Sequence, residues 1–272
     1  SQVILDDWAK VVPGYLWRNY PAQADYQTAE RRPNGHFDVL FSYKPWPDDY
    51  QPKEGERPEL IMSEREGSDG QIVIGWGGSL SHIDSFKYSG VIPALARILT
   101  ENDKVVFKFC GNEDRLQFLI DLLPKQKVVR QNGVTPEDWA RVVKTFDIGI
   151  APMDPREVSD GTGAGNTGYS YDDRRSALKV VEYLCAGVPW LASDAAPYRE
   201  YERFGRLVPA SEDAWYEALK QTIGSLKGLR DEAEKNRNWA MKNLTIESRA
   251  EDLVNLYFKI GEETQGKRGY RI

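Results

Sequence analysis

Arg175, Lys179 and Glu182 are spaced four and then three residues apart. In a helix that spacing brings side chains to one common polar face. Two cations beside a carboxylate suit a ligand that carries phosphate and a diol, because the cations meet the phosphate while the carboxylate accepts both hydroxyls of a ribose. The competing reading is a solvated helix surface on which Glu182 pairs with Lys179, worth about 0.2–0.5 kcal/mol. Burial separates the two, since a helix lying between a sheet and a glycine-rich loop hides much of this face. Arg174 and Arg175 stand at the predicted amino end of that helix, where free backbone N–H groups and the helix dipole favour an anion.

A second group of residues surrounds a glycine turn. Gly75, Gly77, Gly78 and Ser79 follow a strongly apolar run, and glycines there let backbone approach a phosphate. A tight strand-to-helix turn explains the same glycines without any ligand. His82 lies just beyond as a candidate donor to a phosphate or sugar oxygen, with a helix-end role as the alternative. Gly111 and Asn112 end the next apolar run and would form another wall of the same crevice. Pro152 and Met153 end a further run, where Met153 either lies against a base or sugar or packs in the core. Other chemistries lack their residues. No Gly-x-x-x-x-Gly-Lys-Ser/Thr phosphate loop, His-Glu-x-x-His or Gly-x-Ser-x-Gly is present, and the turn at Gly75, Gly77 and Gly78 does not have the dinucleotide spacing Gly-x-Gly-x-x-Gly. Two separated histidines and two cysteines in apolar contexts do not compose a zinc site. The sequence also has no Asp-x-Asp, so no metal is expected, and no cofactor.

These residues need elements to position them. The segment Asp172–Ala186 has an apolar stripe of Ala177, Leu178, Val181, Leu184 and Cys185 at helical spacing, stopped by Gly187 and Pro189. From Gln71 onward, strands alternate with helices. The predicted strands are QIVIGWGG, KVVFKFCG, KVVRQNG, DIGIAPM, PWLAS and GRLVPA. The intervening helices lie in YSGVIPALARILTEN, DRLQFLIDLLP, TPEDWARVVKTF and SEDAWYEALKQTIGSL. A helical region from Leu229 to Glu263 is broken near Asn243–Thr245. This alternation predicts an α/β fold with a doubly wound parallel sheet, in which ligands bind outside the carboxyl ends of the strands. Residues 1–66 are irregular and rich in proline, with FDVLFSY as the one convincing strand and an exposed linker over Pro47–Gly70. The expected divisions are an amino-terminal segment over 1–66, the regular domain over 67–260 and a tail over 261–272. The glycine-rich loop between Met153 and Ser170 is either a mobile lid or surface decoration.

Composition narrows the partners. The 272-residue chain has 36 Lys and Arg against 42 Asp and Glu, a net charge of −6. That balance argues against non-specific nucleic-acid binding and against an anionic membrane surface. No apolar run approaches the roughly 20 residues needed to span a bilayer. Cys110 and Cys185 are expected to be buried free thiols of a cytoplasmic protein.

Taken together, IVIGWGGSLSHIDSF, KFCGNEDR, DIGIAPMD and RRSALKVVEYLCAGVPWLASD resemble the carboxyl-terminal half of retaining glycosyltransferases of the two-domain GT-B fold, the large group 1 family. The resemblance covers about Gln71 to Tyr257. Its strongest part is Ser-x-x-Lys-x-x-Glu-Tyr-x-x-x-Gly-x-Pro from Ser176 to Pro189. It implies a Rossmann-like half-domain that binds a nucleoside-diphosphate sugar, with Gly77 and Gly78 at the diphosphate, Glu182 on the ribose and Lys179 at the diphosphate. It also implies metal-independent sugar transfer, with retention, to an unknown acceptor. Two positions depart from the family. A glutamate eight residues before the ribose glutamate is replaced by Arg174, and the Arg and Lys after the first glycine loop give way to His82 and Lys87. The family places an acceptor domain ahead of this half, for which 66 residues are too few, although LDDWAKVVPGYLWRNYPAQADY resembles the end of one. A separate acceptor domain or a second copy of the chain is therefore an expected partner. The alternative function is a non-catalytic module that binds a nucleotide or nucleotide sugar.

Overall fold

The structure, a computed structural model, describes residues 19–28, 38–78, 82–111, 116–159, 166–170 and 172–265. Ser79 and Asn112, residues 1–18 and the end of the tail from 266 lie outside the described residues. In chain order the elements are α1 (Gln23–Thr28), β1 (Val39–Tyr43), β2 (Leu60–Glu64), β3 (Ile72–Gly77), α2 (Ile83–Tyr88), α3 (Val91–Glu101), β4 (Val105–Cys110), α4 (Gln117–Ile120) and β5 (Val128–Gln131). There follow α5 (Pro136–Val143), β6 (Ile148–Ala151), β7 (Glu157–Ser159), β8 (Asn166–Ser170), α6 (Leu178–Ala186), β9 (Trp190–Ser193) and α7 (Ala196–Arg199). The chain continues through β10 (Arg206–Val208), α8 (Glu212–Gly224), α9 (Leu226–Asn243) and α10 (Ala250–Gln265). Among the described residues, no helix is long and apolar enough to cross a membrane.

The predicted doubly wound sheet is present. Six parallel strands lie in the order β10-β9-β6-β3-β4-β5. The sheet starts at β3, grows outward to β4 and β5, then returns to the other side of β3 with β6. The strand order therefore reverses between β3 and β6, and such a switch point opens a crevice at the carboxyl ends. One face carries α3 and α8, which bury Leu95, Ile98, Trp215 and Leu219 against Ile74, Phe107 and Ile150. The other carries α5 and α6, which bury Val142, Val181 and Leu184 against Val73, Val106 and Ala192, with α9 packed outside α6. Both faces are covered, so β3, β4 and β6 read as continuous apolar runs without alternation.

Glycines within the strands seat aromatic rings. A Cβ on Gly75 would lie 2.0 Å from the Phe146 ring, one on Gly77 2.0 Å from Trp139, and one on Gly149 2.8 Å from Tyr183. Three rings thus occupy the space that side chains would take on β3 and β6. At the end of α6, Gly187 takes a left-handed φ of 68° and closes the helix. Its N–H donates to Leu184 O and the Val188 N–H to Tyr183 O, the stop predicted from Gly187 and Pro189.

Three local expectations differ from the structure. The stretch expected to be a linker contains β2, paired antiparallel with β1. Its side chains are nearly all exposed, so no apolar alternation announced it, and only backbone pairing with a distant segment forms it. The loop after Met153 holds a short antiparallel hairpin, β7–β8. The helix expected from Asp172 instead opens as a 3₁₀ turn over Asp172–Arg174 and becomes α-helical only at Leu178. Partners far along the chain hold that turn. The buried Asp172 carboxylate accepts from Ser85 Oγ at 2.5 Å and from the Asp154 N–H at 2.6 Å, and Asp173 accepts from the Ser170 and Ala196 N–H groups, each at 2.9 Å.

The described part of residues 1–66 is stitched to the sheet. Tyr26, Val39 and Phe41 belong to the same core cluster as Val106 and Val129. The Gln131 side-chain amide bonds the Phe41 N–H and C=O at 2.9 and 2.8 Å, as a neighbouring strand would. Beneath them, Lys108 Nζ pairs with Asp38 at 2.8 Å, both side chains having no exposure. Lys108 also donates to Val39 O and, at 3.0 Å, to Thr145 Oγ1, which completes a fully buried ion pair by hydrogen bonds.

Candidate functional site

At the carboxyl end of β3 the chain turns through Gly77 and Gly78. The Gly78 N–H donates to Cys110 O at 3.0 Å. Gly111, at φ 144°, lies against this turn so closely that a Cβ there would come 2.2 Å from Gly78 O. Gly111, expected from the sequence to be a wall of the crevice, thus packs directly against the Gly78 backbone.

Lys179, in the first turn of α6, crosses to this turn. Its Nζ donates to Gly77 O and lies 4.9 Å from the centre of the Trp76 ring. Burial pulls the Lys179 ammonium down to about 8, opposed by Glu182 and assisted by Arg175. Glu182, one helical turn further on, is pushed up to about 7 by burial, while Lys179 and the nearby Trp139 side chain hold it down. Both side chains are half-buried, and Lys179 is closed onto Gly77 O rather than left in open solvent.

Arg175 reaches the cluster from outside the helix. It precedes α6 by three residues, so helical periodicity is not what unites it with Lys179 and Glu182. Its Nη1 donates to Asp172 Oδ1 at 3.1 Å and contacts His82 Nδ1, also at 3.1 Å. A guanidinium has no acceptor, so His82 Nδ1 accepts and Nε2 carries the ring proton. Burial, with the Lys179 and Arg175 cations, drives the His82 imidazole down to about 2. His82 is thus a neutral donor at every physiological pH, seated edge-on against Trp76 at 5.5 Å.

Gly77, Gly78, Gly111, His82, Arg175, Lys179 and Glu182 are brought together by these contacts. Met153 is not. Its side chain is 2 % exposed within the core, and its N–H donates to Ser193 Oγ at 2.9 Å, the packing alternative named above. Trp139 was missed. Half-buried in α5, it lies on Gly77, and its place in an ordinary amphipathic helix carried no signal of that. Arg156 was missed as well. It bridges the two sides of the switch point, binding Asp154 at 2.7 Å and Asp84 at 3.1 Å, and lies 3.3 Å from the centre of the Tyr88 ring. Cys110 and Cys185 are buried free thiols, each pushed up to about 12 by burial. Among the described residues, no group of three or more His, Cys, Asp or Glu side chains is placed to hold a metal ion.

Chemically, the arrangement is a crevice with an uncapped helix start, two cations, a neutral N–H donor and one carboxylate. The half-domain fold is that of GT-B glycosyltransferases. Sucrose-phosphate synthase from Thermosynechococcus elongatus superposes with a TM-score of 0.55 at 16% identity, covering 72% of this chain and 47% of that one. Anabaena HepE in complex with UDP-glucose gives 0.51 at 16% identity over 71% and 50% of the two chains. The α,α-trehalose-6-phosphate synthase from Burkholderia multivorans gives 0.51 at 11% identity, over 75% and 45%. At these identities the likeness is one of fold, and the chain spans about half the length of each of these proteins. No protein-family model and no curated protein matches the sequence.

Proposed function

We propose that the chain binds a nucleoside-diphosphate sugar in the crevice between β3 and β6 and serves as the donor half of a retaining, metal-independent glycosyltransferase. The observation that carries this reading is the closure of Lys179 onto Gly77 O, one helical turn from Glu182. It sets an ammonium and a carboxylate side by side at the switch point of a Rossmann-ordered sheet. The diphosphate would lie along the Gly77–Gly78 edge, meeting Lys179, Arg175 and the free N–H groups that begin α6. The ribose would lie on Glu182. As the glycosidic bond opens, negative charge grows on the departing diphosphate, and these fixed donors stabilise it without reorganising. The neutral His82 adds an N–H toward a phosphate or sugar oxygen and takes no part as an acid.

Isothermal titration of the protein against UDP, GDP and ADP, and against their hexose conjugates in EDTA, tests the reading. Binding of one nucleoside diphosphate that is lost in Glu182→Gln is the expected result; no binding of any of them overturns it. The second reading is a domain that holds a nucleotide or nucleotide sugar without catalysing its transfer. Donor hydrolysis or transfer by the isolated chain favours the enzyme, and binding without turnover favours the module.

A further inference from the structure

Asp172 ties together the two sides of the crevice. Its side chain is 2 % exposed, and donors from three segments converge on the carboxylate. Ser85 Oγ on α2 donates to Oδ2 at 2.5 Å, and the Asp154 N–H just beyond β6 donates to the same oxygen at 2.6 Å. Arg175 Nη1, ahead of α6, donates to Oδ1 at 3.1 Å. Arg156 spans the same gap, from Asp154 to Asp84 beside Ser85. The carboxylate therefore rests on a frame whose parts come from both sides of the switch point.

That frame reaches the crevice through Arg175. Nη1 carries two N–H groups, one serving Asp172 Oδ1 and the other His82 Nδ1, each at 3.1 Å. Two bonds from one nitrogen fix the plane of the guanidinium, while 18 % of the Arg175 side chain stays exposed, within reach of a ligand. Arginine has many rotamers, and giving them up is a large part of the cost of using it as a ligand. A guanidinium already held in place meets a phosphate without that cost.

We propose that Asp172 is a positioning residue of the crevice, whose carboxylate holds Arg175 against His82 so that guanidinium and imidazole meet a phosphate oxygen in one fixed geometry. The inference rests on the nucleotide reading above for what Arg175 meets, though not for the linkage itself. The chemistry of the donors says why the position needs a carboxylate. A serine hydroxyl can turn to donate or accept, but a backbone N–H and a guanidinium only donate. A carboxylate offers an acceptor oxygen to each, whereas an amide offers one oxygen and an NH₂. In Asp172→Asn the NH₂ must face either the Asp154 N–H or Arg175. The backbone is held by the end of β6 and the arginine side chain can swing, so the substitution releases Arg175.

The linkage is read in the free protein from His82. The chain has two histidines, so His36→Gln leaves His82 as the single source of imidazole signals. Long-range proton–nitrogen NMR at neutral pH separates the ring nitrogen that carries a proton from the one that accepts. In Asp172→Asn the acceptor resonance should move downfield by several ppm, toward the value of a nitrogen without a donor, and an unmoved resonance overturns the linkage. Calorimetry with UDP, GDP and ADP reads the role. Asp172→Asn and Arg175→Gln should each weaken nucleotide binding by about tenfold to a hundredfold, and the double variant should bind no worse than the weaker single one. Unchanged affinity in Asp172→Asn overturns the positioning role. So do losses that multiply in the double variant, because a residue that merely supports the fold acts whether Arg175 is present or not. A shifted His82 signal in a protein that binds none of the three nucleotides supports the linkage and refutes the nucleotide reading instead. Should Asp172→Asn fail to fold, Asp172→Ser takes its place under the same criteria, since its oxygen lies one bond nearer the backbone and falls short of Arg175.

Discussion

Glu182 and Lys179 occupy a setting that shifts each toward its uncharged form, and that sets the pH behaviour of the crevice. Binding a diphosphate and a diol needs Lys179 protonated and Glu182 ionised. Affinity for a nucleoside diphosphate should therefore fall below about 7 as Glu182 takes a proton and above about 8 as Lys179 loses one. Calorimetry from pH 5.5 to 9.5 would show this bell, and a flat profile would count against the site. His82, held down to about 2, contributes no limb. The same shifts act on folding. With Glu182 pushed up to about 7 from an ordinary 4.5, the native state holds more protons than the unfolded chain across that window. Its contribution to stability is present at the acid end and is lost as pH rises through the window. Glu182→Gln does not titrate, so its melting point relative to wild type should climb between pH 5 and 7.5, by an amount equivalent to about 2 kcal/mol, while nucleotide binding is lost. Lys179→Ala should lower turnover with a saturating donor more than it lowers donor affinity, because the leaving diphosphate gains charge only in the transition state. Unchanged turnover would refute that role.

At the scale of elements, the site depends on how β3, β6 and α6 meet. The glycines of β3 are read from the sequence either as backbone that can approach a phosphate or as a tight turn, and Gly75 and Gly77 are also where Phe146 and Trp139 rest. Gly75→Ala should cost about 1–3 kcal/mol through overpacking. Denaturant melts of Gly75→Ala, Phe146→Leu and the double variant would test this, since the smaller ring should return part of the loss. Additive losses would show that the two residues do not share the space. The amino end of α6 teaches a related lesson. Its apolar stripe and its Gly187 stop were legible in the sequence, but the 3₁₀ turn at Asp172–Arg174 was not. The partners of Asp172 and Asp173 come from Ser85, Asp154 and Ala196, and local propensity contains no term for them.

For the molecule as a whole, the amino-terminal segment is part of the sheet's packing. Tyr26, Val39 and Phe41 complete one core cluster, and Asp38 neutralises a Lys108 that has no exposure to water. Asp38→Ala leaves that ammonium buried and should cost about 3–5 kcal/mol in urea unfolding. Asp38→Ala with Lys108→Met should recover most of the loss; a double variant as unstable as the single one would show that the charge is not the cause. By the same logic, a chain beginning at residue 67 should fail to give a cooperative melt. Composition and motif spacing had placed a boundary there, because residues 1–66 are poor in regular apolar patterning and Lys108 gives no sign in the sequence of needing a distant aspartate.

Periodicity and punctuation in the sequence were enough to determine the alternation of strands and helices, the parallel sheet and the end of the sheet where a ligand would lie. These are local or repeating properties, fixed by which residues recur at spacings of two or 3.6 and by where Gly and Pro interrupt them. Motif spacing also picked out Lys179, Glu182 and the Gly77 turn. Tertiary structure alone decided that Arg175 joins them from a non-helical turn, that His82 is a neutral donor, that Met153 is core, and that Trp139 lies over Gly77. Each of those facts depends on contacts between residues tens of positions apart, and on the water those contacts exclude.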